Sequence, residues 1–376
     1  MFTETLTRVR KSPLVDLLTG PHGVDRYTEL VDPTWTIGDA RAKVVAVHRA
    51  TPRSVTLLLA PNGAAARRAR VNERRVNERR VNERRVNEPC LAGQHLNLTV
   101  EIDGRSHTRC YSPASAEGEE LVELTIGLHD EGLVSNYLYR HARPGMVVGL
   151  TAPAGDFVLP DRRPGRILFV SGGSGITPVM SMLRTLRAEN CDSRIGFVHY
   201  ARTPQEACYR DELARTPGVR VLHGYTRAPG GDLVGHFDEQ HLSAAMPNPD
   251  VVYVCGPPAL VEAVRSVVGA HTNATVVSES FVPEPFVVPD SPSGGRIRFS
   301  DSDIAVEDDG RPLLDQAEGA GLKPRSGCRM GICHTCTRHK LSGAVRNITT
   351  GAVSASGEED IQICVSVPVG DVEINL

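Results

Sequence analysis

The sequence predicts a multidomain chain: a small antiparallel β-barrel, then an α/β unit built on a parallel sheet, then a compact end domain. Three observations predict this. Between Arg41 and Ala152, short β-rich runs follow one another without intervening helical patterns. From Arg166 the pattern changes to alternating strands and helices. A Pro/Gly/Ser-rich stretch, Phe281 to Gly295, then sets apart a last segment that holds four of the nine cysteines. At 376 residues the chain is too long for one ordinary core, and two to three domains are expected.

Composition narrows the function classes. With 42 basic and 45 acidic residues the formal charge is −3, so binding to nucleic acid has no overall electrostatic support. Five of the cysteines, Cys90, Cys110, Cys191, Cys208 and Cys255, are scattered, which suits a reducing compartment rather than a disulfide framework. No apolar run approaches the ~20 residues needed to span a bilayer. The N-terminus lacks the charged-then-apolar layout of a signal peptide. The expectation is a cytoplasmic protein, with peripheral association at a membrane as the alternative.

Taken in order, residues 1–40 read as an N-terminal docking segment. Ser12-Pro13 suits a helix start, Leu14, Leu17 and Leu18 make an apolar face, and Gly20-Pro21 ends it. Trp35 is expected as a packing anchor. Strands are expected at Lys43–His48, Ser54–Ala60, His95–Ile102, Arg105–Ser112, Leu121–Leu128 and Met146–Ala152, with a hairpin turn at Asp103-Gly104. Together they give a barrel over 41–162. Val71-Asn-Glu-Arg-Arg repeats three times and restarts at Val86. A five-residue period builds no apolar face in helix or strand, so 67–88 reads as a basic surface loop, or as a docking arm for an acidic partner. The α/β unit spans 163–282, with strands at Ile167–Val170, Ile195–Tyr200, Val219–His223, Val251–Val254 and Thr275–Ser278, and a helix at Val179–Ala188. Residues 283–295 form a linker and 296–376 the end domain. That domain holds nine basic and twelve acidic residues, the basic ones concentrated beside the cysteines.

The cysteines carry the most specific signal. Cys328, Cys333 and Cys336 follow C-x4-C-x2-C, with Cys364 distant, which is the plant-type spacing for a [2Fe–2S] cluster. Gly327 and Gly331 allow the loop to turn back on itself. Structural zinc usually takes two close pairs of ligands, and here the fourth cysteine stands apart. After Val170, Ser171-Gly-Gly-Ser-Gly-Ile-Thr-Pro178 offers a turn where backbone amides can approach a pyrophosphate at a helix N-terminus, although Pro178 departs from the usual Gly pattern. No carboxylate follows the next strand, where NAD would want one. Arg202 and Arg210 stand there instead and suit a 2′-phosphate, or are ordinary surface residues. In Arg109-Cys-Tyr111-Ser112, strand alternation places Arg109 and Tyr111 on one side and Ser112 on the other. Gly132-Leu-Val-Ser135 reads as a loop feeding a helix, with Ser135 as phosphate ligand or N-cap.

These pieces, in this order, resemble the ferredoxin–NADP reductase family, and within it the members with a C-terminal plant-type ferredoxin domain. The resemblance runs from about Arg41 to Leu376. It implies an antiparallel β-barrel flavin domain, an α/β parallel-sheet nicotinamide domain and an α+β ferredoxin-like domain. It also implies that Arg109 pairs with the FAD pyrophosphate, Tyr111 packs on the isoalloxazine and Ser112 bonds near flavin N5. Gly132, Val134 and Ser135 match the second pyrophosphate loop. Gly173, Ser174, Gly175 and Thr177 match the nicotinamide-cofactor turn. Cys255-Gly256-Pro-Pro matches the segment that sets Cys255 beside the nicotinamide, and Glu279-Ser-Phe281 matches the acidic-x-aromatic ending near the flavin. Leu91-Ala-Gly-Gln-His95 stands where relatives often have P-G-Q-H.

A nicotinamide gives two electrons as hydride, a [2Fe–2S] cluster takes one at a time, and a flavin does both. The expected function is therefore an oxidoreductase that moves electrons from NADPH (NADH as alternative) to FAD, to the cluster of Cys328, Cys333, Cys336 and Cys364, and on to a protein acceptor. Ser112, Cys255 and Glu279 are expected around the hydride path. The resemblance implies an oxygenase, hydroxylase or fatty-acid desaturase as acceptor, either soluble or membrane-bound, and the reductase is expected to be a monomer. The alternatives are a stand-alone flavin reductase or diaphorase, and a redox-sensing module.

Overall fold

The computed structural model describes residues 28, 31–36, 40–62, 90–281, 294–327, 329–331, 335–354 and 357–376. The expected helix after Ser12, the Val71–Glu88 repeat, most of the linker, and Cys328 and Cys333 lie outside the described residues. Trp35 is not a packing anchor. It is 55% exposed, and a Thr28 hydroxyl and the Asp32 carbonyl hold its backbone instead.

The first sheet comprises β1 (Arg41–Thr51), β2 (Ser54–Pro61), β3 (Leu96–Ile102), β4 (Arg105–Tyr111), β5 (Val122–Gly127) and β6 (Val147–Leu150). All its pairings are antiparallel, in the order β4-β3-β6-β1-β2-β5. Alternation drives it: Leu57, Leu59, Leu98, Val100, Leu124 and Ile126 turn inward onto one core with Leu138 of helix α1 (Leu133–His141). Asp103 and Gly104 both take positive φ (50° and 72°), which closes the β3–β4 hairpin in the primed turn that matches strand twist. The order leaves β4 and β5 as the two edges of the sheet, and a cleft lies at their ends.

The second sheet comprises β7 (Arg166–Gly172), β8 (Arg194–Ala201), β9 (Val219–Tyr225), β10 (Val251–Cys255) and β11 (Thr275–Glu279), all parallel, in the order β11-β10-β7-β8-β9. Helices α2 (Ile176–Ala188), α3 (Arg210–Arg215), α4 (Glu239–Ala245) and α5 (Pro258–His271) connect the strands. Ile167, Leu168, Phe169 and Val170 are all buried, as a strand covered on both faces requires. The order reverses on either side of β7, so a crevice opens beyond its carboxyl end, where ligands of such sheets bind.

The two sheets share an apolar core. Ala92, Ala114, Phe157 and Leu159 pack with Ile167, Val179, Met182 and Leu183. Gly93, at φ 98°, sits at this junction, and a Cβ there would strike the Phe157 carbonyl and Met182. A polar network reinforces it. Arg184 of α2 donates to Glu212 (2.7 Å) and Glu123 (3.1 Å), and its guanidinium covers the Tyr209 ring at 5.2 Å. The Tyr209 hydroxyl meets Glu123 at 2.9 Å and Thr125 at 2.5 Å.

The end domain holds β12 (Arg296–Phe299), β13 (Ile304–Glu307), helix α6 (Leu313–Gly319), β14 (Thr337–Asn347), β15 (Glu359–Gln362) and β16 (Ser366–Ile374). Its sheet runs β13-β12-β16-β14-β15, with β12 and β16 parallel and the other pairs antiparallel. Lys340 is fully buried there, and its ammonium is compensated by the Gly343 carbonyl (2.7 Å) and Glu359 (3.2 Å).

Candidate functional site

The cleft at the ends of β4 and β5 has a volume of about 220 Å³. Arg109, Cys110 and Tyr111 line it from β4, Ser112 from just beyond it, Thr125 and Gly127 from β5, and Gly132, Val134 and Ser135 from the start of α1. Ser174 and Thr177 reach it from the glycine turn, Phe281 from beyond β11, and Met330 from the end domain. Cys110 lines the cavity alongside Arg109, Tyr111 and Ser112, where β4 ends at Tyr111.

Two features of this cavity fit a flavin. The Ser112 hydroxyl is buried and has no hydrogen-bond partner, and a buried polar atom left so is costly unless a ligand satisfies it. The first turn of α1 brings backbone amides to the cavity wall, a ready anion site. Gly132 is the N-cap there, so Ser135 is not; its hydroxyl donates to the Gly132 carbonyl at 3.1 Å. A Cβ on Gly132 would collide with the Ser135 hydroxyl. Burial pushes the Tyr111 phenol well above its ordinary pKa, so it stays neutral.

The glycine turn follows β7. Gly173 has φ 56°, Gly173–Gly175 makes a short 3₁₀ turn, and α2 begins at Ile176. Gly173 and Ser174 are exposed while Gly175 and Thr177 are buried. A Cβ on Gly175 would strike the Cys255 backbone, and one on Gly172 would come within 2.9 Å of Pro257. The turn and the Cys255-Gly256-Pro-Pro segment are thus packed against each other with no room for side chains.

Register carries a polar row across the carboxyl edge of the sheet. Glu279, Cys255, Ser171, His199 and His223 are successive partners from β11 to β9. Cys255 is fully buried; burial, and then the Glu279 charge, push its thiol well up, so it stays protonated. Burial pushes His199 down to about 3, which keeps it neutral, and its Nδ1 meets Ser171 Oγ at 2.9 Å. His95 approaches Glu279 from the first sheet, with Nδ1 3.4 Å from Oε1. The ring fits because Gly155 has no Cβ; one there would stand 2.9 Å from Nδ1.

Arg202 and Arg210 are exposed, at the end of β8 and the start of α3, and neither makes an ion pair among the described residues. Backbone pairing of Arg227 with the Arg202 carbonyl (2.8 Å) adds a third arginine to this edge. His95, Arg227 and Met330 carry no role in the sequence reading. The Gly-Gln-His segment was the available signal for the first, and nothing in sequence spacing signals the other two.

Of the expected cluster ligands, Cys336 and Cys364 are described. Both are buried in one core, and the Ile363 amide lies 3.4 Å from the Cys336 carbonyl. Pairing of β14 with β15 thus delivers the distant cysteine to the loop cysteine, as a four-thiolate cluster demands.

Three family models match in order: the oxidoreductase FAD-binding domain over residues 84–159, the oxidoreductase NAD-binding domain over 169–266 and the 2Fe-2S iron-sulfur cluster binding domain over 297–369. An NADPH oxidoreductase of Mycobacterium tuberculosis is 32% identical over 373 residues, covering 96% of this chain and 90% of its own. A glycine betaine monooxygenase reductase subunit of Chromohalobacter salexigens is 28% identical over 75% of this chain and 86% of its own. Among solved structures, phthalate dioxygenase reductase superposes with a TM-score of 0.58 at 24% identity, over 90% of this chain and 98% of that one, a likeness of fold. Fold and matches define an NAD(P)H-dependent oxidoreductase with FAD and [2Fe–2S] cofactors. The chain belongs to the ferredoxin–NADP reductase family, in the branch with a C-terminal [2Fe–2S] domain.

Proposed function

We propose that the chain is the reductase component of an oxygenase-type system, taking hydride from NADPH and delivering single electrons to a separate protein. The observation that carries this reading is the cavity in which a partnerless buried Ser112 hydroxyl, the α1 amides, the glycine turn and the cluster-domain residue Met330 meet. FAD, when bound, supplies the exchange between a two-electron hydride and single electrons. Arg109 and the Gly132–Ser135 turn hold its pyrophosphate, Tyr111 and Phe281 flank its ring, and the Ser112 hydroxyl bonds to it. Gly173, Gly175 and Gly256 admit the nicotinamide cofactor closely. Arg202 and Arg210 hold a 2′-phosphate, with Arg227 beside them. Cys255 stays a neutral, uncharged wall, and Glu279 stands next to the hydride path. Cys328, Cys333, Cys336 and Cys364 hold the cluster.

The acceptor class follows relatives named as reductase subunits, one of a glycine betaine monooxygenase and one of a stachydrine N-demethylase. Within it we take the acceptor to be an oxygenase, hydroxylase or desaturase, met at a membrane surface where it is membrane-bound, and the reductase to act as a monomer. Among the described residues no helix is long and apolar enough to cross a membrane. The test is an anaerobic visible titration of the purified protein with NADPH and, separately, NADH. Bleaching of flavin and cluster bands at lower NADPH than NADH is expected. A cluster band that stays unbleached after full flavin reduction would overturn the proposed order of transfer.

A further inference from the structure

The cleft assigned to FAD is lined almost wholly by the first two sheets and their connections. Met330 is the end domain's contribution to it among the described residues. The short loop that bears Met330 is fastened on both sides. Arg329 takes φ 58°, unusual for a side-chain-bearing residue, and its guanidinium is held by Asp315 (3.3 Å) and Glu318 (2.6 Å) of α6. Gly331 takes φ 76°; its carbonyl accepts from the Gln362 amide, and a Cβ there would stand 2.9 Å from Val365. Beside these two anchored neighbours, Met330 meets the cleft. Its unbranched, polarizable side chain suits an irregular apolar contact. In sequence it lies inside the cysteine loop, between Cys328 and Cys333.

We propose that Met330 is a wall of the flavin site, so that FAD binding and docking of the [2Fe–2S] domain are thermodynamically linked. This rests on the assignment of the cleft to FAD. If the end domain closes part of the site, docking tightens FAD, and by reciprocity FAD tightens docking by the same factor. Flavin occupancy then sets whether the cluster loop is seated for transfer.

The test uses full-length, cluster-loaded protein from which FAD has been removed, titrated back with FAD by flavin fluorescence. Met330→Ala is expected to raise the FAD dissociation constant about fivefold, the scale of one lost apolar contact. Met330→Leu, which conserves volume, should stay within about twofold. The cluster absorbance of each variant shows that the loop is still folded. Hydrogen exchange gives the reciprocal reading: adding FAD should slow exchange in α6 and β14 of the wild type and not of Met330→Ala. FAD affinity unchanged by Met330→Ala, while Arg109→Ala weakens it, would overturn the linkage and leave the flavin site standing. If neither substitution moved FAD affinity, the assignment of the cleft would fall, and the linkage with it.

Discussion

His95 Nδ1 lies 3.4 Å from Glu279 Oε1, and both side chains are nearly out of solvent, at 4% and 14% exposure. One comes from the first sheet and the other from the last strand of the second, so the pair exists only where the two sheets meet. The contact is a close approach rather than a hydrogen bond, because both ring nitrogens of His95 are buried without a hydrogen-bond partner. The other oxygen of Glu279, Oε2, is buried without a hydrogen bond, and Cys255 stands beside it in register. Under the proposed function, Glu279 lies beside the hydride path. Glu279→Gln keeps shape and removes charge, and should slow flavin reduction by NADPH by about tenfold to a thousandfold, with FAD and cluster content unchanged. Anaerobic stopped-flow absorbance reads this directly. An unaltered rate would remove Glu279 from the hydride path.

Arg202 and Arg210 offer two exposed guanidinium groups where a ribose-binding carboxylate is missing. A charge-assisted hydrogen bond to phosphate contributes about 1.5–3 kcal/mol. Arg202→Ala or Arg210→Ala should therefore raise the KM for NADPH roughly tenfold or more and leave that for NADH within about twofold. Steady-state reduction of an artificial acceptor with each cofactor separates the two. Equal losses with both would mean that the arginines act on fold rather than on the 2′-phosphate.

How far the sequence could be read depended on whether a residue's role is local. The turn at Gly173–Gly175 and the 2Fe-2S domain were legible because a turn needs glycines and a cluster loop needs cysteines at set intervals. Strand β7 was legible because burial on both faces leaves a continuous apolar run. His95, Arg184 and Met330 have no such signature. Each matters through partners far away in sequence: Glu279, Glu123 and the cleft.

Arg184 ties the first sheet to the second through Glu123, Glu212 and the Tyr209 ring. Tyr209 is held in the left-handed region, φ 58°, and its hydroxyl contacts to Glu123 and Thr125 offset that strain. Arg184→Ala strands two carboxylates at a partly buried junction. Because Arg184 and Glu123 are about one-fifth exposed, the loss should be discounted from a fully buried pair to roughly 2–3 kcal/mol. That corresponds to a Tm lower by about 5 °C or more in calorimetry. Arg184→Lys keeps a charge but not the fork, and should fall between. A Tm within about 1 °C of wild type for Arg184→Ala would show that the junction stands on its apolar core.

His339 on β14 faces Asp360 on β15, its register partner, with Nδ1 3.0 Å from Oδ1, and Glu358 lies 3.7 Å from Nε2. The hydrogen bond to Asp360 holds the imidazolium above its ordinary pKa, with Glu358 adding to it. The folded pKa is raised, so the contribution to stability is full below the unfolded value of about 6.5 and is lost as pH rises through the folded value. Carboxylates held low by arginines, such as Glu189 by Arg163 and Asp309 by Arg311, work in the opposite sense and lose their contribution only in acid. Between about pH 5.5 and 8 the buried His199 and the half-buried His223, held below their ordinary pKa, also cost stability as pH falls and the unfolded chain takes up protons, so the contribution of His339 is read as the difference between wild type and Asp360→Asn. Asp360→Asn should therefore lower Tm by on the order of 1 °C near pH 6, and the gap should close by about pH 8 to 9. A gap of constant size across that range would assign the effect of Asp360 to strand pairing and not to the charge on His339.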